Sequence, residues 1–394
     1  MKKNLQFPQP VIDYILIHES VDPYSLAFKT SPFPNVTMRT IVQQILGRKI
    51  AKKKFPFLLN FDQYRYPVKE SLEQASSETT AQFKSNLIEG KSFVDLTGGM
   101  GIDSYLLGRN FQSCTYVEPN TDLLELTAQN FETLGFEQCN TVNLTCSAFL
   151  ASNTRRYDWA YIDPSRRIGG ERKISINNYE PNLVELAPLM SNISDNIMVK
   201  LSPMQDISEC IDVLENVYKI WVISVQNEVK ELLLHIRRNS DRSPIITAVD
   251  IKKEGTTSFS YVFEERHCLA SIAEPMKYLY QPGAAIVKAE LHNRYAQKLE
   301  LGKLHPNTQL FTSERLLENF IGKTFEVKEY ISLNKKEVKR VLPQMKANII
   351  TKNFPLSPIE IVKKYKLKEG GEDYLIAFSS GEKQKRIAIC NKVT

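Results

Sequence analysis

Cysteine is sparse and dispersed in this 394-residue chain. The six, Cys114, Cys139, Cys146, Cys210, Cys268 and Cys390, form no C-x-x-C pair. The five histidines, His18, His235, His267, His292 and His305, show no H-x-x-x-H spacing and no partner at catalytic spacing. A structural zinc site and a disulfide framework are therefore not expected, and the cysteines read as small core residues in a reducing cytoplasm. Long apolar runs are missing too. No stretch of about 18 apolar residues exists, so no transmembrane helix is expected. Lys2 and Lys3 are followed by Asn4, Gln6, Pro8 and Pro10 rather than by an apolar segment, which argues against a secretory signal and for a cytoplasmic protein.

What is present is ordinary in kind but uneven in placement. An apolar fraction of 42% and a charged fraction of 24% suit a globular chain, long enough for two or three domains with their own cores. The net charge of +6 sits at one end. Residues 324–394 hold 15 Lys/Arg and 8 Asp/Glu, or +7, and the remaining residues hold 36 and 37, or −1. Such an asymmetry is the footprint expected of a site for a polyanion, or of a solvated lysine-rich surface.

The first 90 residues read as mainly helical, with amphipathic pieces at 38–50 and 71–87 between proline-bearing loops. From residue 91 short apolar runs alternate with helical ones. Strands are expected at 93–96, 114–117, 141–144, 159–162, 197–201 and 220–225, with helices at 102–109, 121–134, 183–190 and 207–214 between them. That alternation implies a parallel sheet with helices on both faces. Residues 245–251 and 259–263 read as a closing hairpin. A mixed stretch follows to about residue 322. The end of the chain then reads strand 325–331, helix 335–342, strand 347–352, helix 358–365 and strands 374–378 and 386–390, a small α+β unit.

The strongest chemical signal is Val94-Asp95-Leu96-Thr97-Gly98-Gly99-Met100-Gly101-Ile102-Asp103. A strand ends in an acid, a glycine-rich turn follows, and a helix begins. Glycines let backbone approach a ligand closely, and a helix N-terminus offers free N–H groups. The next strand ends at Glu118, 23 residues after Asp95, where a carboxylate can accept ribose hydroxyls. The fourth strand ends in Asp163-Pro164-Ser165-Arg166-Arg167. All three segments lie at C-terminal strand ends, where open α/β sheets bind ligands.

This ordered set resembles the class I S-adenosylmethionine-dependent methyltransferases. Asp95 to Gly101 is similar to their first motif, with Thr97 in place of its first glycine; Glu118 matches their ribose-binding acid; Asp163-Pro164-Ser165-Arg166 resembles their fourth motif without its aromatic. A third-motif acid is not evident, as Thr145-Cys146-Ser147 stands there. A narrower resemblance spans nearly the whole chain. Leu72-Glu73-Gln74-Ala75-Ser76-Ser77-Glu78-Thr79-Thr80-Ala81, Asp163 to Arg167 and Lys200-Leu201-Ser202-Pro203 are similar to a bacterial methyltransferase family of uncharacterised substrate. Its members end in a THUMP-like domain, which residues 347–356 and 367–371 resemble.

The resemblance implies a Rossmann-like seven-stranded methyltransferase sheet at 91–272, an N-terminal helical region at 1–90, a ferredoxin-like connector at 273–323 and a THUMP-like domain at 324–394. It implies S-adenosylmethionine as cofactor, held by Asp95, Thr97, Gly98, Gly99, Gly101, Asp103 and Glu118, with Asp163 and Pro164 at the reacting centre. THUMP domains bind structured RNA, chiefly tRNA, so RNA is the implied partner. Arg166, Arg167, Tyr179, Lys335, Lys336, Lys339 and Arg340 are the expected substrate contacts, and neither a metal nor a membrane is expected. Methylation at a pyrimidine carbon generally needs a cysteine nucleophile. Ser165-Arg166 and Gln226-Asn227 follow the fourth and sixth strands instead, so N-methylation, which mainly needs alignment of an amine, is the expected chemistry. A protein or small-metabolite acceptor, or a non-catalytic RNA-binding protein with a vestigial methyltransferase fold, are the alternatives.

Overall fold

The computed structural model describes residues 6–166, 175–332, 334–381 and 384–393. The chain divides into two compact units, residues 1–218 with 233–242, and residues 219–232 with 243–394.

The first unit is built on parallel strands: β1 (Gly90–Asp95), β2 (Phe111–Val117), β3 (Cys139–Val142), β4 (Trp159–Ile162) and the strand Asn196–Leu201. Phe93, Val94, Ala160, Ile162, Met198 and Val199 are fully buried, as expected of strands covered on both faces. β1 pairs with β2 on one side and β4 on the other; β3 lies beyond β2, and Asn196–Leu201 beyond β4. The strand order therefore reverses between β1 and β4, which opens a crevice beyond their C-terminal ends. Helices Ile102–Gly108, Thr121–Thr133, Leu183–Ile193 and Ile207–Val213 stand within a few residues of the expected positions. Asn120 caps the second of them, accepting the Leu123 N–H at 3.0 Å, which fixes the chain direction directly after Glu118.

Two differences bear on function. The expected helix over 71–87 is two helices, Lys69–Gln74 and Glu78–Ser85. Ala75 is extended (φ −60°, ψ 153°), and Ser77 caps the second helix by accepting the Thr80 N–H at 3.2 Å. A capping hydroxyl competes with helix continuation, so the chain breaks at Ala75–Ser77. The strands about β1 accord with the seven-stranded methyltransferase sheet expected, with one strand that the sequence does not signal. Strand Glu228–Arg237 had no sequence signal of its own, since Glu, Lys and Leu favour helix. The hairpin Ile245–Lys252 with Gly255–Val262 lies where a closing hairpin is expected.

In the second unit, the stretch that reads as mixed and the C-terminal residues share one seven-stranded sheet. Its order is Gly302–His305, Thr308–Ser313, Tyr278–Pro282, Gly322–Ile331, Gln384–Lys392, Asp373–Ser380, Asn348–Lys352. Leu279, Leu304, Leu310, Phe325, Ile376 and Phe378 form one buried cluster. Helices Lys335–Val341 and Pro358–Tyr365 cover a second cluster through Val338, Ile361 and Tyr365. Among the described residues no helix is long and apolar enough to cross a membrane.

Candidate active site

The crevice at the ends of β1 and β4 is a cleft lined by Asp95, Thr97, Gly98, Gly99, Gly101, Asp103, Glu118 and Asp163, all expected from sequence. Ser71, Gln74, Ala75, Ser76 and Tyr161 also line it.

Asp95 is buried. One carboxylate oxygen accepts the Thr97 N–H at 3.0 Å and the other the Ser104 hydroxyl at 2.5 Å, so the acid pins the turn to the helix after it. Burial outweighs these hydrogen bonds and pushes the carboxyl up to about 7. Thr97, the departure from the family's first glycine, has a structural use: its Oγ1 accepts the Asp163 N–H at 2.7 Å. That bond ties the end of β1 to the end of β4. Gly99 has φ +55°, and no atom lies closer than 3.9 Å to where a Cβ would be, which leaves bare backbone facing the cleft. Gly101 has φ +80°, and a Cβ there would sit 2.6 Å from Thr127 Cγ2, so packing as well as φ demands glycine.

Glu118 accepts the Gly99 N–H at 3.0 Å through Oε2 and the Asn120 N–H at 2.8 Å through Oε1. Each oxygen keeps a second acceptor site. Burial raises its pKa, and the two backbone donors pull it back. Asp163 forms an ion pair with Lys200, 2.5 Å from Oδ2. Pro164 is buried beside it.

The central group that sequence reasoning missed is Lys84. It is fully buried on helix Glu78–Ser85, 2.9 Å from Asp103 Oδ1. It donates to Ser76 Oγ at 2.6 Å and to the Tyr161 hydroxyl at 3.2 Å. Ser76 and Tyr161 in turn donate to Asp103 Oδ2 at 2.7 and 2.8 Å. Burial pushes Asp103 up, but Lys84, then Lys200 and the hydrogen bonds, hold its pKa below the ordinary value. A signal existed: Lys84 lies at helical spacing from the buried Thr80 and Ala81, where a lone lysine needs a buried partner.

Other expected contacts fall elsewhere. Tyr179 is buried, its hydroxyl accepting the Ser202 N–H at 3.3 Å, so its ring has no free face on which a base could stack. Arg166 is exposed on a two-residue strand paired with Tyr179–Glu180; Arg167 lies outside the described residues. On helix Lys335–Val341, Lys335, Lys336 and Lys339 are exposed. Arg340 is committed to Glu329 at 2.5 Å and Glu337 at 2.8 Å, so the helix presents a weaker basic face than its sequence suggests. Among the described residues no group of His, Cys, Asp or Glu could hold a metal ion.

A parallel sheet, with a glycine turn between two acids and a third acid at the switch point, is the arrangement that the resemblance to class I methyltransferases implies. The comparisons agree. Residues 322–392 match the THUMP domain-like family model, and residues 278–320 match a ferredoxin-like domain model. A candidate methyltransferase of Porphyromonas gingivalis W83, known as a crystal structure, is 29% identical. The match covers 99% of this chain and 100% of that one, with a TM-score of 0.88. An uncharacterised S-adenosylmethionine-dependent methyltransferase of Mycobacterium tuberculosis is 23% identical over 305 residues, 76% of this chain and 80% of the relative. The chain is a class I S-adenosylmethionine-dependent methyltransferase with a C-terminal THUMP-like domain.

Two outcomes follow. Lys84→Met should destabilise the protein by about 3–5 kcal/mol, because Asp103 is left as an unpaired buried charge. Adding Asp103→Asn should restore much of that loss in denaturant titrations. Asp95, with its pKa raised in the folded state, contributes stability that is full below the unfolded pKa and is lost as pH rises through about 7. The loss is at most about 4 kcal/mol at about 1.36 kcal/mol per pH unit. Asp95→Asn should lack this component between about pH 4 and 7, measured by calorimetry against pH; an unchanged profile would show that Asp95 does not titrate there.

Proposed function

We propose that the chain transfers a methyl group from S-adenosylmethionine to a nitrogen of a nucleotide in structured RNA, most specifically tRNA. The observation that carries the reading is that Asp163 lines one cleft with the Gly98–Gly101 turn and Glu118. The cofactor's sulfonium supplies an electrophilic methyl group. The residues fit it: the spare acceptor sites of Glu118 suit two ribose hydroxyls, and the bare backbone at Gly99 admits close approach. Asp95 and Thr97 hold the turn in shape, and Asp103, braced by Lys84, forms the floor beside it. Asp163 and the Pro164 carbonyl would accept hydrogen bonds from the acceptor amine and aim its lone pair at the methyl group, the alignment on which rate depends.

RNA as substrate is supported by the THUMP domain-like match and by the charge of +7 on residues 324–394. We assign residues 1–90, 91–272, 273–323 and 324–394 to the helical, methyltransferase, connector and THUMP-like parts. The burial of Tyr179 favours one competing reading, an amine acceptor on a protein or small metabolite, which needs no base-stacking ring.

Glu118→Ala should weaken S-adenosylmethionine binding about tenfold or more, since each hydrogen bond to a charged acceptor is worth about 1.5–3 kcal/mol. Calorimetry showing wild-type affinity would remove Glu118 from the ribose site. Asp163→Ala should lose methyl transfer to bulk tRNA far more than cofactor affinity; equal losses would make it a cofactor or folding residue. Nucleoside mass spectrometry of the RNA identifies the product, and transfer only to protein or metabolite fractions would favour the competing reading.

A further inference from the structure

A second cavity, of about 830 Å³, lies wholly within the second unit. Four chain segments converge on it: the turn Gln226-Asn227, the hairpin tip Lys252 to Gly255, residues 318–323, and Lys392. The turn is built for the place. Gln226 and Asn227 have φ of 50° and 66°, the left-handed pair of a tight hairpin turn. Asn227 is tied down on both sides, its N–H donating to Asp250 at 2.9 Å and its Oδ1 accepting the Ala284 N–H at 2.8 Å. Phe320 is buried, packed 5.0 Å from Tyr280 and 5.4 Å from Tyr295 between ring centroids. The walls are thus fixed by packing and hydrogen bonds.

The charge on those walls is lopsided. Lys252, Lys253, Lys323 and Lys392 face two acids, Glu254 and Glu318. Lys252 is partly engaged, 3.8 Å from Asp250. Lys253, Lys323 and Lys392 make no ion pair among the described residues. Lys323 also bears on Lys352, whose pKa is lowered first by burial and then by Lys323. Gathering like charges around one concavity is unfavourable unless an anion or solvent compensates. Thr256, Thr257 and Asn319 add hydroxyl and amide groups, the neutral partners that commonly accompany lysine on phosphate oxygens. The stretch that matches the THUMP domain-like model, 322–392, begins and ends on this cavity.

We propose that this groove is a seat for the phosphodiester backbone of RNA, with Lys253, Lys323 and Lys392 as its phosphate contacts. The proposal rests on the RNA reading above and gives it a location away from the helix Lys335–Val341. Recognition there is of backbone rather than of bases: Phe320, the aromatic in the lining, is buried, and no stacking platform is on offer. Unrelated RNA sequences of the same fold should therefore bind alike.

The test compares the full-length chain with Lys253→Gln/Lys323→Gln/Lys392→Gln and, as a second set, Lys335→Gln/Lys336→Gln/Lys339→Gln. Bulk tRNA binding is followed by filter titration at several salt concentrations, with S-adenosylmethionine binding as the check on folding. The groove variant should bind tRNA at least about tenfold more weakly. Its log–log salt slope should be shallower by about 2–3, since each lost phosphate contact removes nearly one unit. The helix variant should change both quantities less. Affinity and slope unchanged in the groove variant overturn the groove while leaving the RNA reading in place. A wild-type chain that binds no tRNA overturns both. Inorganic pyrophosphate is the remaining arm: if it binds the wild type and not the groove variant while both bind tRNA equally, the groove serves a small phosphorylated molecule and the backbone assignment falls.

Discussion

A lysine without exposed surface and the carboxylate it faces are the constraint around which the candidate active-site cleft is arranged. Neither Lys84 nor Asp103 can leave water alone at tolerable cost, and together they need every remaining donor and acceptor filled. Ser76 and Tyr161 do the filling. For Ser76 to reach, the chain has to break at Ala75–Ser77 and start a new helix, and the Ser77 cap makes that start favourable. For Tyr161 to reach, β4 must lie beside β1 in the observed register, with Asp95 opposite Tyr161. Asp103 opens the helix after the glycine turn. One ion pair therefore fastens the segment before the sheet, the turn and the neighbouring strand to a common point.

Two carboxylates only eight positions apart feel opposite environments. Asp95 is buried among neutral donors, so burial prevails and its carboxyl is raised. Asp103 is buried against an ammonium, which prevails over burial and lowers it. The turn between them joins a group tending towards neutrality to one kept ionised, which localises negative charge on the helix side, near its N-terminal dipole.

Much of this was legible in the sequence, for a physical reason. Buried parallel strands are short apolar runs bounded by turn residues, and β1 to β4 read that way. The glycine turn and the acids at strand ends are local patterns too. What was not legible depends on partners distant in sequence. Glu228–Arg237 is a strand although its Glu, Lys and Leu favour helix, because sheet position overrides propensity. Nothing in the spacing tells Lys84 that its acid lies nineteen positions on. Tyr179 follows a loop, where residues are usually exposed, yet it is buried with its hydroxyl accepting the Ser202 N–H. Arg340 reads as a free cation in the sequence, but Glu329 on the strand before its helix pairs with it.

The C-terminal sheet has a consequence for how this protein can be inherited or rebuilt. Strand Gly322–Ile331 pairs on one edge with Tyr278–Pro282 and on the other with Gln384–Lys392. A cut near residue 323 would expose the hydrogen-bonding edge of Tyr278–Pro282 and uncover Leu279 and Leu310, inviting edge-to-edge association. The natural module for grafting onto another enzyme is thus the whole sheet from Tyr278 to Lys392, and recombination that respects the fold would carry connector and THUMP-like segment as one heritable piece.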